Sequence, residues 1–122
     1  MKRPLVLVVA MALASVCSAE DAPTIPLASG QYDFQHRFAE QPTIPSIKLL
    51  VTIAGSHIVV INPKASDPFP AGTLAEGQIM WHASSRQWII GHEASDKFAS
   101  DVGGCSDGPE TVDLVNKIYW TC

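Results

Sequence analysis

The chain has 122 residues, with 8 Lys and Arg against 12 Asp and Glu, and its formal net charge is −4. An acidic chain without a basic cluster is a poor candidate for nucleic-acid binding, because contacts to phosphates dominate that affinity. A chain of this length forms one domain with a modest core, which excludes a multidomain architecture.

The amino terminus is typical of a secretory signal peptide. Two basic residues precede a ten-residue apolar run, residues 5–14, which is too short to span a bilayer because spanning needs about 20 residues. We predict a cleaved signal peptide over residues 1–19 and a single β-rich domain over residues 20–122. Removal of the two basic residues leaves 6 basic against 12 acidic side chains in that domain.

This leader predicts a secreted or periplasmic protein without a membrane span. Cys17 leaves an alternative open, a bacterial lipoprotein that carries its lipid on this cysteine. Val16 fits poorly at the position before a lipidated cysteine, so the soluble form is the preferred interpretation.

The first predicted strand has an aromatic face. Between Gln31 and Phe38 every second residue is aromatic or histidine, and the residues between them are polar or charged. This period of two is typical of a β-strand. His36 lies on the aromatic face, which makes it a candidate binding residue, or a histidine at the edge of the core.

A hairpin follows PTIPS (42–46), which we expect to break the chain. The segment 47–62 reads as two strands around Gly55-Ser56, where glycine can take the positive φ of a type II′ turn. Both faces of this pair are largely apolar, so we expect it to be covered on both sides or to line an apolar cavity.

The segment 63–72 is the longest predicted loop, with three prolines and a glycine. Phe69 lies between two of these prolines in DPFPAG, which makes it a rigid aromatic side chain. It is a candidate anchor for a protein partner. The alternative is that Phe69 closes one end of a barrel.

The segment QIMWHASSRQWIIGH (78–92) predicts a second hairpin with its turn at Ser84-Ser85. Trp81 then faces Trp88 as a cross-strand aromatic pair, and both are candidate binding residues. The histidines of this hairpin lie at opposite ends of it and cannot bind one ion. We therefore predict no metal site here.

The late segment is rich in turn-forming and acidic residues. We expect a short helix within residues 92–104, with Ser95 as its N-cap and Gly103-Gly104 at its end. The spacing of Asp107 and Glu110 predicts one further helical turn, followed by a last strand that contains Ile118 and Trp120. Asp101 and Asp107 are candidate binding residues of this segment.

Two cysteines remain after the predicted cleavage, Cys105 and Cys122. In an oxidising compartment they are expected to form one disulfide, worth on the order of 3 kcal/mol of stability. The spacing is unlike that of a redox Cys-x-x-Cys pair, which favours a structural bond over a catalytic thiol.

Together these elements predict a mainly β fold: a small antiparallel β-barrel, or a strongly bent sheet of hairpins, with one or two short helices. The likeness to small secreted bacterial β-barrels, lipocalin-like modules and periplasmic enzyme inhibitors among them, is one of class alone and assigns no residue a role. The usual signatures of nucleophilic, phosphate-binding and metal sites do not occur, so neither a cofactor nor a metal is expected.

Three functions remain open. The preferred one is a non-enzymatic binding module that recognises a protein partner, as an inhibitor or immunity-type protein would. The second is a carrier that holds a small apolar ligand between the aromatic strand and the tryptophan hairpin. The third is a small hydrolase that uses His36 with an acidic partner from the late segment.

Overall fold

The computed structural model describes residues 22–65 and 69–122. The predicted signal peptide, its cleavage site and Cys17 lie outside the described residues. The described chain forms a closed barrel of seven strands and one short 3₁₀ helix. In chain order these are β1 (Gly30–Phe38), β2 (Gln41–Ala54), β3 (His57–Asn62), β4 (Gly72–His82), β5 (Gln87–Gly91), the 3₁₀ helix (Ala94–Phe98), β6 (Glu110–Asp113) and β7 (Ile118–Thr121).

The barrel closes through a parallel pair of strands. Each strand from β1 to β7 pairs antiparallel with the next, whereas β1 and β7 run parallel, with His36 opposite Tyr119. An up-and-down meander with an odd number of strands must end in the direction in which it began. The predicted β-barrel is therefore confirmed, but its purely antiparallel character was wrong, because the closed barrel is mixed.

The β2–β3 hairpin supplies much of the interior. Its register is the predicted one, with Val51 opposite Val60 and Ile53 opposite Ile58. Gly55 has a φ of 64° at the first turn position, as a type II′ turn requires. The core side chains of both strands, namely Leu49, Val51, Ile53, Ile58 and Val60, are at most 1% exposed and pack with residues of β1 and β4–β7 as one cluster.

The segment 42–46 does not break the chain; it belongs to β2. This part of β2 pairs with β1 alone, with Pro45 opposite Arg37, because pairing with β3 begins only at Leu50. A proline cannot donate a ladder hydrogen bond, so it is tolerated where one side of a strand is unpaired. Two register shifts in β1 near Arg37 accompany this stretch.

The predicted helix within 92–104 is only a 3₁₀ turn, Ala94–Phe98, and its N-cap is Glu93 instead of Ser95. Glu93 and Asp96 form a capping box, and the Asp96 carboxylate accepts the backbone N–H groups of His92 (2.7 Å) and Glu93 (3.2 Å). These bonds, that of His92 above all, hold the pKa of Asp96 below its usual value. The hydrogen bonds at its N-terminus thus place the N-cap of the 3₁₀ turn two residues earlier than expected.

The helical turn expected after Asp107 was also wrong, because Glu110 begins strand β6. β6 pairs with β5, where Val112 lies opposite Trp88. The Tyr119 hydroxyl donates a 2.8 Å hydrogen bond to the Glu110 carboxylate, which is thereby drawn toward the barrel. Burial, and then the charge of Glu110, raises the pKa of Tyr119, so its hydroxyl stays protonated and acts as the donor.

The predicted Cys105–Cys122 disulfide is confirmed, with Cα atoms 4.6 Å apart. It ties the end of β7 to the loop before β6 and indicates an oxidising compartment, which is compatible with secretion. Among the described residues, no helix has the length and apolar character needed to cross a bilayer.

Candidate functional site

His36 lies inside one end of the barrel, within a cluster of rings. It is 0% exposed, and its ring lies 4.5 Å from that of Phe38 and 4.7 Å from that of Phe69, both edge to face. Its Nε2 shares a 2.6 Å hydrogen bond with Thr121 Oγ1 on β7. Burial lowers the pKa of His36, so the imidazole is neutral at physiological pH.

Phe69 is held in place over His36. The buried Asn62 amide donates to the carbonyl oxygens of Phe69 (3.2 Å) and Pro70 (2.9 Å), which fixes the backbone of this loop. The Phe69 ring is half-buried against the imidazole. Its position corresponds to the predicted cover over the barrel end, and only part of the ring remains open to a partner.

Trp81 and Trp88 form the predicted cross-strand pair, with ring centroids 5.1 Å apart and planes at 67°. Trp88 packs against the core cluster, whereas Trp81 lines a cleft at the surface. Trp81 therefore borders a cleft with the neighbouring loop, whereas Trp88 lines a different cleft, with Trp120.

That loop, residues 92–110, is called the rim below. Its first half is fixed to the barrel by His82, which is 2% exposed. His82 Nε2 donates to the carbonyl oxygen of Ala99 (2.7 Å), since a carbonyl only accepts, and Nδ1 therefore accepts the Ser85 hydroxyl (2.7 Å). Sequence reasoning did not find this role of His82.

The first half of the rim borders an apolar cleft of about 470 Å³. Trp81 and Met80 of β4 form one wall, and Ala94, Lys97 and Phe98 of the 3₁₀ helix form the other. Phe98 is 77% exposed, and the Lys97 ammonium lies 5.6 Å from the centre of its ring. A large aromatic side chain thus stands in solvent next to a cleft that contains another.

The second half of the rim brings the two candidate acidic residues together. Asp101 and Asp107 are both exposed and line one shallow cleft of about 510 Å³. Gly108 makes this possible because its Cα packs against the carbonyl oxygen of Asp101, where any side chain would collide with the backbone. The cleft therefore combines two carboxylates with a backbone that tolerates no side chain at position 108.

The six candidate residues thus separate into three places. His36 and Phe69 meet at the barrel end, Trp81 and Trp88 pair across β4 and β5, and Asp101 and Asp107 share the rim. Sequence reasoning did not single out Phe98, which lies within the longer helix that was expected in residues 92–104. The only signal in the sequence was that Phe98 follows five polar or small residues in EASDKF.

No protein-family model, curated protein or solved structure matches this chain. Its function must therefore be argued from its own surfaces.

One group of potential metal ligands occurs in the described part of the chain. Glu40, Cys105 and Cys122 place their ligand atoms within 4.8 Å of one another. The two sulfurs are bonded to each other, however, and a disulfide does not provide the thiolates that bind metals. This group therefore does not make a metal site while the disulfide is intact.

Proposed function

We propose that this protein is a secreted or periplasmic, non-enzymatic binding module that docks a protein partner through the rim, as an inhibitor or immunity-type protein does. The observation that carries the proposal is the 77% exposure of Phe98 beside the apolar cleft of Trp81. Exposed aromatic side chains next to pockets are typical of the energetic centre of a protein interface.

The charge of the rim supports a partner with a basic surface. Residues 92–110 contain five carboxylates, listed here as Glu93, Asp96, Asp101, Asp107 and Glu110, against one lysine. A partner with an apolar side chain for the cleft and basic residues around it complements both features. A standard interface of about 800 Å² per partner would extend from the apolar cleft to Asp101 and Asp107.

The two alternative functions have less support. The inward side chains of the barrel pack as one cluster, and the apolar cleft at Trp81 is lined mainly by β4 and the 3₁₀ helix without a residue of β1, so it does not lie between the aromatic strand and the tryptophan hairpin. A hydrolase that uses His36 would need to bring its substrate to a side chain that is 0% exposed.

The test compares two surface variants. Val115 is 70% exposed in the β6–β7 turn, away from the rim, and makes a matched control for Phe98. The tagged protein is used to capture proteins from envelope extract, and the captured proteins are compared for the original chain, Phe98→Ala and Val115→Ala. We expect a defined partner that is lost with Phe98→Ala and with high salt, and retained with Val115→Ala. Equal capture by both variants would contradict the proposal.

A further inference from the structure

A second groove lies on the outer face of β5, β6 and β7, and Trp120 forms its floor. Tyr119 points into the core, so by the alternation of strand side chains Trp120 points outward. Two clefts of about 230 and 330 Å³ share the side chains of Trp120, Thr111 and Gln87 as walls. They therefore form one elongated groove, whose size is within the range of small-molecule sites.

The polar groups in this groove have unused hydrogen-bonding capacity. Within the described part of the chain, the Arg86 guanidinium, the Gln87 amide, the Thr111 hydroxyl and the Trp120 indole N–H have no hydrogen-bond partner. A site that is built for a polar ligand needs a few such groups around an apolar surface. In this groove Arg86, Gln87, Thr111 and Trp120 supply these hydrogen-bonding groups.

Arg37 lies beside the groove but does not line it. It is the partner of Trp120 in the parallel β1–β7 ladder, and one guanidinium nitrogen donates to the carbonyl oxygen of Pro42, which lines the same groove. Its Nε is buried and has no hydrogen-bond partner among the described residues. An unsatisfied buried donor is rare and costs stability, and since Arg37 lines neither cleft, this atom carries no argument about a ligand.

The charges of the groove are balanced. Arg86 and Asp113 both line its cleft of about 230 Å³. The Asp113 carboxylate already accepts hydrogen bonds from the backbone N–H groups of Val115 and Asn116 and from the Asn116 amide. The formal charges of Arg86 and Asp113, the charged residues in the described lining, cancel, so the groove has no net charge to select a strongly charged ligand. It favours a neutral molecule with many hydroxyl groups.

We infer that the Trp120 groove binds a neutral carbohydrate chain, with a sugar ring stacked on the indole. The C–H face of a pyranose is apolar and slightly positive, which suits the negative face of an aromatic ring. Its hydroxyl groups both donate and accept, which suits the amide of Gln87 and the hydroxyl of Thr111. This surface is separate from the apolar cleft at Phe98 and does not depend on the proposed protein partner.

The test is calorimetric titration of the folded protein with three neutral probes, namely cellotetraose, maltotetraose and chitotetraose. We expect saturable binding of at least one of them. Trp120→Ala should abolish it, Trp120→Phe should retain it within about tenfold, and Gln87→Ala should weaken it roughly tenfold, since one hydrogen bond is lost. Trp81→Ala, which changes a tryptophan outside the groove, should bind like the original chain.

Two results would overturn the inference. One is the absence of saturable heat with all three probes up to roughly 10 mM. The other is unchanged binding by Trp120→Ala, or an equal loss with Trp81→Ala. If Trp120→Ala does not fold, Gln87→Ala decides, because Gln87 is exposed and its replacement leaves the core intact.

Discussion

The β2–β3 hairpin and the rim represent two ways of building structure from sequence. The hairpin is regular: its core side chains from Leu49 to Val60 are at most 1% exposed, and a glycine turn fixes its register. The rim has almost no ladder hydrogen bonds. It is held by a capping box, by His82, by a glycine packed on a carbonyl and by a disulfide.

The hairpin contributes mainly to the stability of the fold, whereas the rim contributes the candidate binding surface. Burial of apolar surface in the hairpin contributes to the whole fold, so a change there is felt everywhere. The contacts of the rim are few and local, which leaves its side chains free to form clefts at the surface. The candidate binding residues Phe98, Asp101 and Asp107 therefore lie on the rim, whereas none lies on the hairpin.

The largest effect is expected from the hairpin. Ile58→Ala removes a side chain that is 0% exposed, so it should lower the free energy of unfolding by about 2–5 kcal/mol. Denaturant unfolding monitored by tryptophan fluorescence measures this loss. Ile44→Ala is the control, because Ile44 is 49% exposed and its truncation should change stability by less than about 0.5 kcal/mol.

Loss of the disulfide should lower the free energy of unfolding nearly as much, but we expect the local loss of stability to be concentrated in the rim. Replacement of both Cys105 and Cys122 by serine should lower stability by about 3 kcal/mol through the unfolded chain. Native-state hydrogen exchange should then show a larger gain in exchange for amides of the rim than for those of β2 and β3. Equal acceleration in both regions would show that the rim is not an independently weakened unit.

His82→Leu keeps an apolar shape but leaves the Ala99 carbonyl oxygen without its donor. We expect a cost of about 1–3 kcal/mol. Limited proteolysis should cut this variant within residues 92–104 faster than the original chain. Cleavage at an unchanged rate would mean that the rim is held by its other contacts alone.

The stability of the barrel end should depend on pH. Burial lowers the pKa of His36, so the unfolded chain binds a proton more readily than the folded one. Stability is therefore complete above the unfolded pKa of about 6.5 and falls as the pH drops below it. His36→Gln should flatten this fall in denaturant midpoints measured between pH 7.5 and 5.5, and an unchanged slope in that variant would assign it to another group.

The smallest effect on stability is expected at Phe98. Because its ring is 77% exposed, Phe98→Ala should change the free energy of unfolding by less than about 0.5 kcal/mol. Thermal unfolding checks this expectation. A large loss of stability would mean that the ring supports the fold of the rim, and it would weaken the case for a docking surface.

Sequence patterns were sufficient for the hairpins because alternation and turn chemistry act over neighbouring residues. Val51 opposite Val60 and Trp81 opposite Trp88 both follow from such local signals. The disulfide was found by counting, since only two cysteines remained after the predicted cleavage.

The remaining features depend on tertiary contacts. β6 is four residues long and exists because β5 and β7 pair with it on both sides, so its own sequence resembles a capped turn. The exposure of Phe98 depends on the early start of the 3₁₀ helix at Glu93, which is set by two side chains together. The Trp120 groove is assembled from β5, β6, β7 and the rim, which no local pattern connects.

The parallel closure also bears on how the chain is made. Gln35 pairs with Ile118, so the first strand waits for a partner that is synthesised 83 residues later. Until β7 emerges, β1 and β6 each carry a row of unpaired backbone groups, which can recruit other chains into aggregates. A nascent chain of this protein is therefore most vulnerable just before its last strand appears, and a chaperone that shields β1 would protect it best.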